Sequence, residues 1–162
     1  MQEPNIKSGS ALFLQSVVVL IALGTLALML WEPHLEGRNA HATTFEIYFK
    51  DPFLAYVYAG SIPYFVALHR TFGLFGDLRR KGTYSQVTVD ALRAIKRCAI
   101  TVIGFVAGAV VIILLTGDPD DRPAGIFMSL LVTLTASGVA TAAALFGRNL
   151  QKALDRPAGG RV

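Results

Sequence analysis

The chain has 162 residues, of which 53% are apolar and only 16% charged, against roughly 25% charged in an ordinary soluble domain, and its mean hydropathy is +0.51. This excludes a disordered chain, which lacks apolar residues, and a soluble single domain, which could not hide so many long apolar runs. A net charge of +4 and a pI near 9.5 would suit a nucleic-acid binder, but the basic residues fall at the ends of apolar runs, where they set orientation in a bilayer, so direct nucleic-acid binding is not expected.

A bilayer core about 30 Å thick is crossed by roughly 20 apolar residues in a helix. Four runs satisfy that requirement, over residues 11–31, 51–75, 98–116 and 124–147. The first has Gln15 as its one strongly polar member, and Trp31 at its end suits the membrane interface. A cleaved signal peptide is the competing reading, with Ala40-His41-Ala42 resembling a cleavage site. The run is longer than the usual 7–15 apolar residues, however, and the site lies well beyond it. The second run opens on Asp51-Pro52, a capping acid followed by a proline at the first helical position. Pro63 lies mid-span and is expected to kink the helix beside Gly60 and Ser61. The third and fourth runs contain no charge at all, as spanning requires, since each charge at the bilayer centre costs about 2.5–3.5 kcal/mol on insertion scales. The fold class predicted is all-α: an integral-membrane four-helix transmembrane bundle, forming a single membrane domain over 1–162. It carries no internal repeat and no lipidation motif.

Orientation follows from Lys and Arg. Twelve of the fifteen lie in the N-terminal segment, the middle loop 76–97 with Arg70 beside it, or the C-terminal tail; only Arg38, Lys50 and Arg122 fall in the other two loops. The excess of Lys and Arg marks the cytoplasmic side. Both termini and the middle loop are therefore predicted inside, in the cytoplasmic (plasma) membrane of a bacterium.

Within the middle loop, Gly82 breaks the chain after the cluster Arg79, Arg80 and Lys81, and Ser85 or Thr88 can cap a new helix. From there Val87, Ala91, Leu92, Ile95 and Cys98 recur at helical spacing, while Arg93, Lys96 and Arg97 share another face. The result reads as a short amphipathic helix running into the third span. On topology alone, these six cations anchor the chain in an anionic inner leaflet at about 1 kcal/mol per basic group. The sharper expectation is a docking surface for a cytosolic regulator.

Small residues mark helix contacts, because backbones must approach closely where lipid removes the hydrophobic drive. Gly104 and Gly108 form a GxxxG pair in the third span. Ala136, Ala140 and Ala144 form a stripe in the fourth, with Gly138 and Ala142 on an adjoining strip. Packing within the chain is the first expectation and homodimerisation the second.

Little else points to chemistry. Gln15, His69 and Arg70 are the main polar groups in or beside the spans, and all sit near span ends, so neither a haem nor a proton path is expected. His34, His41, Glu36 and Glu46 lack compact metal-site spacing, and Asp118, Asp120 and Asp121 lack the EF-hand pattern. The lone Cys98 forms no internal disulfide and no CxxC motif, and no serine lies in a GxSxG setting. No catalytic, cofactor or metal residue is assigned and an enzyme ranks last. In the outer loop, the alternation of Phe45, Ile47 and Phe49 with Glu46, Tyr48 and Lys50 fits either an interfacial or a brief extended segment.

From Gly60 to Ile100 the chain resembles the domain-of-unknown-function 2975 family, small bacterial membrane proteins with four predicted spans. The matching residues are Gly60-Ser61-Ile62-Pro63, Thr71-Phe72-Gly73-Leu74-Phe75, the basic turn with Tyr84-Ser85, and the run from Val89 to Ala99. Tyr84 stands where many relatives have phenylalanine, and Asp90 where lysine is frequent. Members are often encoded beside a small helix-turn-helix regulator, so the resemblance implies a role in holding or releasing such a regulator at the membrane. The favoured function is thus a regulatory or interaction protein. The alternative is a small permease or channel subunit, motivated by the proline-broken second span.

Overall fold

The computed structural model describes residues 8–31, 52–81, 83–117, 119 and 122–156. Among them are four helices: α1 (Ser8–Trp31), α2 (Pro52–Lys81), α3 (Gln86–Thr116) and α4 (Arg122–Leu154). The outer-loop residues discussed above, from His34 to Asp51, and the acidic residues Asp118, Asp120 and Asp121 lie outside the described residues.

Each helix outlasts the bilayer core. At about 1.5 Å per residue, even the 24 residues of α1 exceed the roughly 20 needed to cross. Three of them, over Gly9–Trp31, Gln86–Thr116 and Arg122–Leu154, are both long and apolar enough to span. Most of their large side chains face outward: Phe13 is 67% exposed and Leu115 77%. Apolar surface on that scale belongs against lipid.

The predicted middle loop is largely helical. α2 continues to Lys81, and α3 begins at Gln86. Leucine, arginine and lysine are good helix formers whether or not lipid surrounds them, so leaving the membrane does not end the helix. Ser85 takes an extended conformation at the α3 N-cap. Its carbonyl accepts from the N–H groups of Thr88 at 2.9 Å and Val89 at 3.3 Å. Its own N–H donates to Thr88 Oγ1 at 3.4 Å, so Thr88 supports the cap from inside the helix. The expected amphipathic segment and the third span form one continuous helix. At its far end, Gly117 N–H donates to Ile113 O at 2.9 Å and Arg122 Nε to Gly117 O at 3.1 Å, closing the turn into α4. The chain stays helical across Pro63 in α2.

Packing is serial: α1 lies on α2, α2 on α3, and α3 on α4. All three pairs are antiparallel. Gln15, Thr25 and Met29 of α1 meet Phe72, Tyr64 and Tyr58 of α2 in turn. Across the last pair, Ile113 lies beside Gly125 and Leu92 beside Gly147. Bundle geometry therefore brings the N-terminus of α1, the C-terminus of α2, the N-terminus of α3 and the C-terminus of α4 to one end.

The central position of α2 explains its composition. Tyr58 donates to Met29 O at 2.6 Å, Tyr64 pairs with Thr25 at 3.0 Å, and Tyr56 donates to Phe105 O at 3.0 Å. A polar group in hydrocarbon needs a partner, and a helix flanked on both sides supplies partners. That is why α2 is less apolar than the other three.

Candidate interaction face

The basic residues converge on the shared end of the bundle. Arg79 and Arg80 stand in the last turns of α2, Arg93, Lys96 and Arg97 in the first turns of α3, and Arg148, Lys152 and Arg156 at the end of α4; all eight are exposed. At the opposite end, Arg122 is the one basic residue among those described. The side chain of Lys81 lies outside the described residues.

What holds this face in shape is the seam between α3 and α4. Thr88, Val89, Ile95 and Ala99 are the buried residues of α3, and Ala136, Ala143 and Gly147 those of α4. Of the face expected from sequence, Ile95 is buried and Ala91, Leu92 and Cys98 are half-buried. Val87 departs from it at 51% exposed, while Thr88 and Val89 are buried. The exposed faces then leave Arg93, Lys96 and Arg97 outside.

These cations are not equivalent. Arg93 is clamped within the chain: Nη1 donates to Asp90 Oδ1 at 3.0 Å and Nη2 to Gln151 Oε1 at 3.2 Å. Gln86 Nε2 donates to the same oxygen at 3.2 Å, and Gln151 Nε2 donates to Asp155 Oδ1 at 2.8 Å. This exposed network ties the α3 N-terminus to the α4 C-terminus. Exposed ion pairs contribute at most about 1 kcal/mol, so it sets local geometry more than stability. Arg93 therefore acts first as an internal clamp and only then as a contact for anything outside. Sequence reasoning had no signal for this, since Gln151 lies 58 residues from Arg93 and only the helix register joins them. The side chains of Arg79, Arg80, Lys96 and Arg97 have no hydrogen-bond or ion-pair partner among the described residues.

The small residues divide by location. Gly108 packs under Tyr56, where an added methyl would collide with the hydroxyl. Its ring lies 5.3 Å from that of Phe105, and Phe105 in turn rests 3.1 Å from where a Cβ on Gly60 would stand. Gly104 and Gly138 do not join the within-chain packing expected of them: a Cβ on either would meet nothing within 4 Å. Phe105, next to Gly104 in sequence, packs toward α2 at Gly60, while Gly104 is exposed. In α4 the buried line runs from Ala136 past half-buried Ala140 to Ala143 and Gly147, while Ala142 and Gly138 are exposed. Pro63 is half-buried. His69 and Arg70 are exposed near the basic end, and Cys98 is half-buried. Among the described residues, no three His, Cys, Asp or Glu side chains are grouped to hold a metal.

Three long apolar helices exposing their side chains, a fourth helix packed between two of them and one cationic end define a multi-pass α-helical membrane protein. The family profile for "Protein of unknown function (DUF2975)" matches residues 37–156, taking in α2, α3 and α4. The chain is also 30% identical over 147 residues to the uncharacterized membrane protein YoaS of Bacillus subtilis (strain 168), covering 90% of this chain and 92% of that protein. The chain belongs to the DUF2975 family, in agreement with the resemblance between Gly60 and Ile100. No solved structure matches it.

Proposed function

We propose that the protein is a non-catalytic, four-span protein of the bacterial plasma membrane, with both termini cytoplasmic, whose cationic end docks a cytosolic partner. The observation that carries this reading is the set Arg79, Arg80, Lys96 and Arg97, exposed together at one end and without internal partners among the described residues. Beside them, the clamp through Arg93 and Gln151 gives the surface a fixed shape. A partner with an acidic patch is what such a field selects; a helix-turn-helix regulator, as the family resemblance implies, is the first candidate. α2 serves as the fourth span, its tyrosine hydroxyls satisfied by α1 and α3.

Two measurements test the reading. A fluorescent protein fused after Val162 should fluoresce, whereas alkaline phosphatase fused there should stay inactive; the reverse result rejects the orientation. A photo-crosslinker placed at Tyr84 should capture a cytosolic protein. That adduct should vanish when Arg79, Arg80, Lys81, Lys96 and Arg97 are changed to Gln in a chain that still inserts correctly. Identical adducts from both chains would reject the docking role.

A further inference from the structure

An open cleft of about 750 Å³ lies between α1 and α2 at the cationic end, within the size range of small-molecule sites. Its walls are apolar, formed by Leu12, Val19 and Leu20 of α1 and Phe72 of α2. Two glycines of α2 make room for it. At Gly73 a Cβ would meet nothing within 4 Å; at Gly76 it would stand 3.0 Å from the Gln15 amide nitrogen. Gln15 is itself only 8% exposed and donates across the bottom of the cleft to Phe72 O at 3.2 Å. Ser16 also lines the cleft, but its hydroxyl is taken up by Leu12 O at 3.1 Å.

Charge is confined to the mouth. Arg79 and Arg80 line it together with Asp77, two guanidinium groups against one carboxylate. From Phe72 to Arg80 the helix rises about 12 Å at 1.5 Å per residue. The cleft is thus apolar in depth, cationic at the rim and open at its side, where apolar exposed residues place the lipid. Guanidinium groups match phosphate oxygens in charge and in geometry. We propose that this cleft holds one anionic glycerophospholipid of the surrounding leaflet, with its phosphate at Arg79 and Arg80 and an acyl chain running along Leu20 and Phe72. The site shares Arg79 and Arg80 with the partner-docking reading, which also needs Lys96 and Arg97, so the Lys96→Gln/Arg97→Gln variant separates the two. Only the assignment to the inner leaflet rests on the orientation proposed above.

The test uses the full-length protein in detergent micelles doped with equal amounts of phosphatidylglycerol and phosphatidylcholine, with retained lipid counted by native mass spectrometry. One phosphatidylglycerol per chain is expected, in clear preference to phosphatidylcholine. The double variant Arg79→Gln/Arg80→Gln should lose roughly 30-fold in retention, as two basic groups leave an anionic headgroup. Gly73→Trp, which fills the cleft and keeps both arginines, should lose the lipid as well; Lys96→Gln/Arg97→Gln should keep it. The proposal is overturned by equal retention of the two lipids, by undiminished retention in Gly73→Trp, or by an equal loss in Lys96→Gln/Arg97→Gln. A lipid-free dimer that Gly73→Trp dissociates would also overturn it, by assigning the cleft to a second copy. Should Gly73→Trp not insert, the arginine pair and the Lys96/Arg97 control decide the question alone.

Discussion

Replacing Gly108 by alanine puts a methyl group into space held by the Tyr56 hydroxyl. The ring must swing away, breaking the bond to Phe105 O and the tilted contact between the Tyr56 and Phe105 rings. An interhelical hydrogen bond within a bilayer contributes about 0.6 kcal/mol on average and up to about 1.7, and an aromatic pair about 0.5–1.5 kcal/mol. Alanine returns about 0.8–1.0 kcal/mol of helix propensity, leaving a net loss of about 1 kcal/mol. Gly104→Ala gains the same propensity and meets nothing, so the two alanines should differ by about 2 kcal/mol, on the order of 30-fold in the folding equilibrium. In a Tyr56→Phe background the colliding oxygen is gone and the nearest ring atom stands 3.1 Å from the new methyl, so most of the Gly108→Ala penalty should disappear. Reversible unfolding in mixed micelles with increasing dodecyl sulfate, followed by circular dichroism, measures all four combinations. Equal destabilisation by the two alanines, or a penalty that survives in the Tyr56→Phe background, would refute this account of the α2–α3 contact.

Three further outcomes can be read in the same assay or alongside it. Gln15→Ala should weaken the α1–α2 pair by about 1 kcal/mol, through the lost bond to Phe72 O, and leave protection from hydrogen exchange in α3 and α4 unchanged. Ala143→Leu should destabilise by about 1–3 kcal/mol, because it forces bulk into the closed α3–α4 seam, whereas Ala142→Leu, on the exposed side of α4, should be near neutral; the pair fails as a test of the seam only if both behave alike. Thr88→Val removes the acceptor for Ser85 N–H and should cost about 1 kcal/mol, seen as faster amide exchange confined to the first turn of α3.

Run length and the exclusion of charge made α1, α3 and α4 legible in the sequence, since both are one-dimensional properties that lipid imposes directly. Helix ends were less legible. α2 continues past the hydrophobic stretch because Leu78, Arg79 and Arg80 favour helix in water as well, whereas the amphipathic start of α3 was legible from its periodicity. The family resemblance was carried by a continuous segment, Gly60 to Ile100, and needed no fold at all. Contacts that depend on register were hidden. Gly104 and Gly108 look alike as a motif, yet Phe105 seats itself against Gly60 and leaves one glycine outside. The tyrosines of α2 read as interruptions of an apolar run; only the neighbours on either side reveal them as the bonds joining three helices. Likewise Arg93 looks like its neighbours Lys96 and Arg97 until Gln151 arrives beside it.

Because each helix rests mainly on the one before it in the chain, the assembly can be completed in the order in which it is made. No early segment waits for a distant late one, and short sequence separations favour rapid formation. α1 belongs to a single seam, so its departure would uncover one flank of α2 and leave the two later hairpin contacts standing. Serial packing of this kind leaves the bundle two margins among the described residues. Here α1 and α4 form them, and whatever completes the protein laterally, whether acyl chains or another polypeptide, meets it there first.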